Sequence, residues 1–116
     1  MNRTAYPEID LRDVRPTIPR TLFMLPFLGS GFTPSGIYVA YSDRLYPVLG
    51  RVLRTYECLD VSEGDVVHFR PMAYDWVHLD DGRSFCVMNE RAVDAILEGF
   101  DSTSVTIELA KEPAHA

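Results

Sequence analysis

Trp76-Val77-His78-Leu79-Asp80-Asp81-Gly82-Arg83-Ser84-Phe85-Cys86-Val87-Met88 is the stretch on which the class of fold turns. Two apolar runs of strand length flank Asp-Asp-Gly-Arg. An Asp-Gly pair supplies a positive φ at little cost, so the segment predicts a β-hairpin. Asp80 and Asp81 could also be read as paired acids for catalysis. Beside Gly82 they are more simply turn residues.

Upstream of the hairpin, Val66-Val67-His68-Phe69 reads as a strand stopped by Pro71, with a turn over residues 60–65 leading into it. Arg51-Val52-Leu53-Arg54-Thr55-Tyr56 reads as another. Thr21-Leu22-Phe23-Met24-Leu25 is a continuous apolar run, typical of a strand buried on both faces, and Pro26 is expected to end it. Residues 27–32 then read as loop. Between positions 14 and 20, Pro16 and Pro19 forbid both helix and central strand. Residues 1–13 form an N-terminal arm or an edge strand.

Downstream, Asn89 is placed to cap a short helix over residues 90–98, with Val93, Ile96 and Leu97 as its i, i+3, i+4 face and Gly99 as its stop. Val105, Ile107 and Leu109 alternate with Thr106 and Glu108, as in a half-buried strand. The expected fold is therefore all-β, a small barrel or sandwich with one short helix near the C-terminus.

The chain has 116 residues, enough for one domain with a core of its own. Its net charge of -6 and lack of a basic stripe argue against nucleic-acid binding. No apolar run approaches the roughly 18 residues of a membrane span, and the N-terminus lacks a signal-peptide core, so a cytoplasmic location is expected. Cys58 and Cys86 are too few for a disulfide framework and read as reduced thiols, a Cys58–Cys86 bridge being the alternative.

The remaining stretch, residues 33–50, carries the functional question: Thr-Pro-Ser-Gly-Ile-Tyr-Val-Ala-Tyr-Ser-Asp-Arg-Leu-Tyr-Pro-Val-Leu-Gly. Ile37-Tyr38-Val39 is an apolar triplet bracketed by turn-formers. It is either a short buried strand over residues 37–41 or an apolar tip on a surface loop. Since loops are otherwise polar, the second reading means a partner.

Several motifs in order favour that second reading. Gly64-Asp65-Val66-Val67, the hairpin, and Val87-Met88-Asn89-Glu90 opening an Ile/Leu segment resemble the C-terminal half of the GroES co-chaperonins. Val14-Arg15-Pro16 with Arg20 looks like that family's lead-in to its first barrel strand. Gly36-Ile37-Tyr38-Val39 looks like the tip of its mobile loop, and Gly50-Arg51-Val52 like the return to the barrel. The resemblance spans about residues 14–99 and implies a GroES-like β-barrel with a mobile loop over residues 28–49. It further implies a homo-oligomeric ring, a heptamer, that caps the folding chamber of an ATP-bound GroEL-type chaperonin. Gly36, Ile37, Tyr38 and Val39 would be the chaperonin-binding residues. In the family, the N-terminal strand of one subunit pairs with the C-terminal segment of its neighbour. That carries the subunit interface onto Val14, Arg15, Pro16, Ile96, Leu97, Val105 and Ile107.

The chain departs from the family in several places. Between Val52 and Asp60 it is too short for the hairpin that roofs the family's dome. Phage-encoded members also omit that roof, and for such a member the location would be the host bacterial cytoplasm. Tyr38 replaces a small aliphatic residue at the loop tip, and Pro34, Pro47, Tyr41, Leu45 and Tyr46 add bulk to the loop. Extra residues at both ends, 1–13 and 100–116, are expected to add strands at the subunit seam. Pro19 stands where the lead-in motif has an acid, so the local salt bridge to Arg20 is expected to be lost.

No cofactor and no enzymatic activity are expected. His68, His78 and Cys86, even with Asp75 or Asp80, match no metal-ligand spacing. No nucleophile elbow or phosphate loop occurs. Trp76 reads as a core or seam residue. The alternative function is a non-catalytic structural or assembly module, for example of a phage, with residues 37–39 in a permanent interface.

Overall fold

The structure, a computed structural model, describes residues 9–32, 38–40, 48–98 and 106–109. These form a single antiparallel sheet, so the all-β class holds. Its strands are β1 (Thr21–Phe32), β2 (Tyr38–Ala40), β3 (Leu49–Tyr56), β4 (Val66–Phe69), β5 (Asp75–His78), β6 (Ser84–Asn89), β7 (Val93–Ile96) and β8 (Thr106–Leu109). The order across the sheet is β5-β6-β1-β3-β4-β7, with β2 and β8 joined to β1. Among the described residues the sheet is not closed into the expected barrel, since the edge strands β5 and β7 do not pair. The sheet is nonetheless rolled. Tyr74, just before β5, meets Phe69 of β4 edge-on with ring centroids 5.5 Å apart. Trp76 of β5 and Ile96 of β7 pack on the same buried cluster.

β1 is the spine. It runs through Pro26 for 12 residues, where the sequence predicted a stop. Its first half lies between β3 (Thr21↔Tyr56 to Phe27↔Leu49) and β6 (Thr21↔Asn89 to Met24↔Cys86). Its second half lies between β2 (Ser30↔Ala40 to Phe32↔Tyr38) and β8 (Phe27↔Leu109 to Ser30↔Thr106). This arrangement explains why a central strand tolerates a proline. Phe69 N donates to Val48 O and Val52 N to Asp65 O, so the even-numbered residues of β3 turn their backbone groups towards β4. Gly50, opposite Pro26, does the same, which leaves Pro26 facing away from β3. On that other side β6 has ended at Met24 and β8 begins at Phe27. The missing N–H falls in the gap between two strands and costs no ladder bond.

Among the described residues, alternation along the first half of β1 builds two buried clusters, one on each face. Leu22 and Met24 point into a cluster with Val52, Val61, Val67, Phe69, Cys86, Met88 and Ala92. Phe23 and Leu25 point to the opposite face, where Phe85 and Leu11 bury them. Leu11 belongs to the arm before β1, so residues 9–14 cover this second face although they form no strand. Gly50 sits between β1 and β4, and a Cβ there would come within 2.7 Å of Met24 Sδ and 3.2 Å of Leu25 O. A glycine is required for that approach.

The hairpin forms as predicted, with Leu79 N donating to Arg83 O at 2.8 Å and Gly82 at φ +94°. The helix over residues 90–98 does not form. Asn89 does cap, its side chain accepting from Arg91 N, but the turn it starts is a 3-10 turn over Glu90–Ala92, and the chain then leaves as β7. A nine-residue helix is marginal by itself, whereas β4 offers a free edge. The pairing Phe69↔Val93, His68↔Ala95, Val67↔Ile96 skips Asp94. This bulge lets residues three apart lie opposite residues two apart, so a strand carries apolar spacing that looks helical. Between Tyr56 and Val66 no further strand occurs, in keeping with the short connection there.

Candidate functional site

The expected site residues divide into separate groups. Tyr38 and Val39 lie in β2, their backbones opposite Phe32 and Gly31. The triplet is thus partly in a strand, not wholly in a loop. Gly36 and Ile37 lie outside the described residues, as does Val105. Ile107 is in β8 opposite Gly29, so β2 and β8 flank the same end of β1, and Ser30 faces both Ala40 and Thr106.

The other seam residues are elsewhere. Val14 is half-buried against the Phe23–Leu25–Phe85 cluster, Arg15 is exposed and Pro16 is buried. Ile96 and Leu97 are half-buried at the β7 edge, where Leu97 N donates to Val66 O. The structure therefore brings Tyr38, Val39 and Ile107 onto one end of β1, and keeps Val14 and Ile96 apart from them and from each other.

At the opposite end of β1 stands a polar node that reading by segment missed. Glu90 is buried, 5% exposed. Its carboxylate accepts from Leu59 N (2.9 Å), Asp60 N (2.8 Å), Val61 N (2.9 Å) and Arg20 Nε (3.2 Å). Burial alone pushes such a carboxyl up. The three amides and the guanidinium outweigh it and hold Glu90 at about 2. Arg20 thus finds its acid not at position 19 but across the sheet. Arg20 itself is left-handed at φ +66°, which lets its N–H donate to Tyr56 O while its carbonyl accepts from Glu90 N.

The node fixes a turn that displays apolar side chains. Leu59 is 73% exposed although its backbone is tied to Glu90, and Ile18 and Tyr56 are exposed at the same end of the sheet. The only sequence signals were the acid in Val87-Met88-Asn89-Glu90 and the basic Arg20.

Chemistry of other kinds is sparse. His68 Nδ1 lies 3.1 Å from Asp94, and His78 Nδ1 lies 2.7 Å from Ser84 Oγ with its ring stacked on Trp76. The Trp76 indole N–H is buried and has no hydrogen-bond partner among the described residues. Cys58 and Cys86 are not joined in a disulfide, and burial pushes the Cys58 thiol up. Among the described residues no three His, Cys, Asp or Glu side chains converge as a metal site, and no helix is long and apolar enough to cross a membrane.

No family model matches the chain, and neither a curated protein nor a solved structure matches it.

Proposed function

We propose that the chain is a co-chaperonin of GroES type, acting as an oligomeric ring that caps a chaperonin through the segment around Ile37. One observation carries this reading. β1 extends to Phe32 and its end pairs with β2, so the stretch of sequence that links these two strands is the one that carries Gly36 and Ile37. The motif order of the sequence adds support. So does the bond between Arg20 and Glu90, two positions at which the chain resembles the family.

The energetics require many copies. Ordering a loop of about a dozen residues costs on the order of 15 kcal/mol. Burying Ile37, Tyr38 and Val39 returns roughly 1.5–3 kcal/mol each, so one segment alone binds weakly. In a ring the remaining segments meet their sites at about millimolar effective concentration once the first has docked. Weak single contacts also allow release in each ATP cycle.

A second reading draws on Tyr38–Ala40 being a strand paired to Ser30–Phe32. A segment already held by a ladder suits a permanent interface, as in a structural or assembly module. Chaperonin ATPase turnover separates the two readings. The co-chaperonin changes turnover and forms a nucleotide-dependent complex, and Ile37→Ser loses both while keeping its oligomeric state. Undiminished ATPase modulation by Ile37→Ser, or no effect of the parent protein, removes the first reading.

A further inference from the structure

We infer that residues 9–14 are an exchangeable strap, and that the groove they occupy on the outer face of the sheet takes the same segment of a second copy of this chain. The inference rests on the oligomeric reading above. It differs from the strand-to-strand seam implied by the family resemblance, because the strap joins no ladder.

The strap is seated as a ligand is seated. Leu11 enters a pocket formed by Phe23, Leu25 and Phe85, and is 3% exposed. Arg54, reaching up from β3, directs Nη1 at the carbonyls of Leu11 (3.0 Å), Arg12 (3.2 Å) and Val14 (2.9 Å). Arg83, from the β5–β6 hairpin, grips both carboxylate oxygens of Asp13 at 2.7 and 2.8 Å and the carbonyl of Asp10 at 2.6 Å. Asp81 Oδ2 holds Arg83 from its own side at 2.8 Å. Every one of these polar contacts comes from a side chain of the sheet, so another copy's strap satisfies them equally well.

Two further features favour exchange. Among the described residues the rim of the groove is open, since Leu53, Val77, Leu79 and Val87 around it are half-buried. The hinge between strap and β1 holds Pro16 and Pro19, which bias the residues before them to extended backbone, and apart from Pro16 residues 15–19 are exposed. The occupant follows from the same facts, because the sequence that fits the groove is one the chain carries itself. Exchange between identical elements is a low-cost route to closed oligomers. The ion pair in the latch, Arg83–Asp13, has its carboxylate exposed, and salt screens it.

The test uses the full chain as Arg83→Lys, which keeps the charge and supplies an amine; Lys111 is the one natural lysine. Isotopically heavy and light copies are mixed and treated with a zero-length carbodiimide. Coupling of the new amine to Asp81, two residues away, stays within a chain and serves as the standard. Exchange predicts that about half of the products joining position 83 to Asp13 carry one heavy and one light peptide. Products of a single isotope, or none at Asp13, overturn it.

A second pair guards against misfolding of that variant. Asp13→Arg and Arg83→Asp chains, each repelling its own strap, should associate when mixed and not when separate. Unchanged size on mixing overturns the inference. A monomeric parent protein removes this inference together with the ring. An oligomer whose cross-links stay within chains removes the exchange alone.

Discussion

Arg20 Nε lies 3.2 Å from Glu90 Oε1, joining residues 70 positions apart across the start of β1 and the end of β6. The same carboxylate gathers the three amides of Leu59, Asp60 and Val61. A side chain from one turn thereby specifies the backbone of another. Removing it leaves buried donors without acceptors.

Glu90→Gln is expected to destabilise the protein by about 2–4 kcal/mol at neutral pH, because an amide accepts less strongly and brings a donor against donors. The sign of the pH dependence follows from Glu90 being held at about 2, below its ordinary value of 4.5. The contribution is complete above the unfolded value and is lost as pH falls from about 4.5 towards 2. Urea unfolding across that range should show the gap between parent and variant closing at acid pH. A gap independent of pH would contradict the assignment.

Gly50→Ala places a methyl group 2.7 Å from Met24 Sδ and 3.2 Å from Leu25 O and Phe69 Cε1. The backbone oxygen cannot yield as a methionine can. A loss of about 1–3 kcal/mol in thermal or chemical unfolding is expected. Stabilisation by alanine, the usual result where a glycine has room, would show that the strands part more easily than this packing allows.

Pro26→Ala restores an N–H in the middle of the longest strand and yet should not stabilise. The new donor faces the gap between β6 and β8, and the unfolded chain becomes freer. The expected change is a loss of up to about 1 kcal/mol. If the variant is more stable and the amide of residue 26 resists hydrogen exchange, the gap is not there.

Trp76→Phe removes an indole N–H that is buried without a partner among the described residues. Such a donor costs about 1–3 kcal/mol, which should offset most of the apolar area lost. Unfolding stability within about 1 kcal/mol of the parent is expected. A loss above about 3 kcal/mol would mean that the N–H is bonded after all.

Local chemistry made part of this fold legible and concealed the rest. The β5–β6 hairpin could be read because Asp-Gly acts within four residues. β4 could be read because its strand signal and Pro71 are adjacent. Pro26 misled because a proline excludes a central strand only where its N–H would face a neighbour, and the gap between β6 and β8 arises from pairings 60 or more positions away. Val93, Ile96 and Leu97 misled because a bulge at Asp94 converts strand alternation into a spacing of three. Of the candidate site, Tyr38 and Val39 could be picked out as apolar residues between turn-formers. Which of them enters a ladder was decided by the reach of β1. Glu90 could be named as a motif residue, but its partners come from a turn 29–31 positions earlier.

The division of β1 into two tiers has a consequence for how the molecule can vary. The first tier is held by β3 and β6 and carries the Glu90 node at its start, and the second is held by β2 and β8. Phe27, opposite both Leu49 and Leu109, belongs to both tiers. Substitutions in β2 or β8 therefore leave the ladder bonds of the first tier with β3 and β6 in place, and those at Phe27 disturb both.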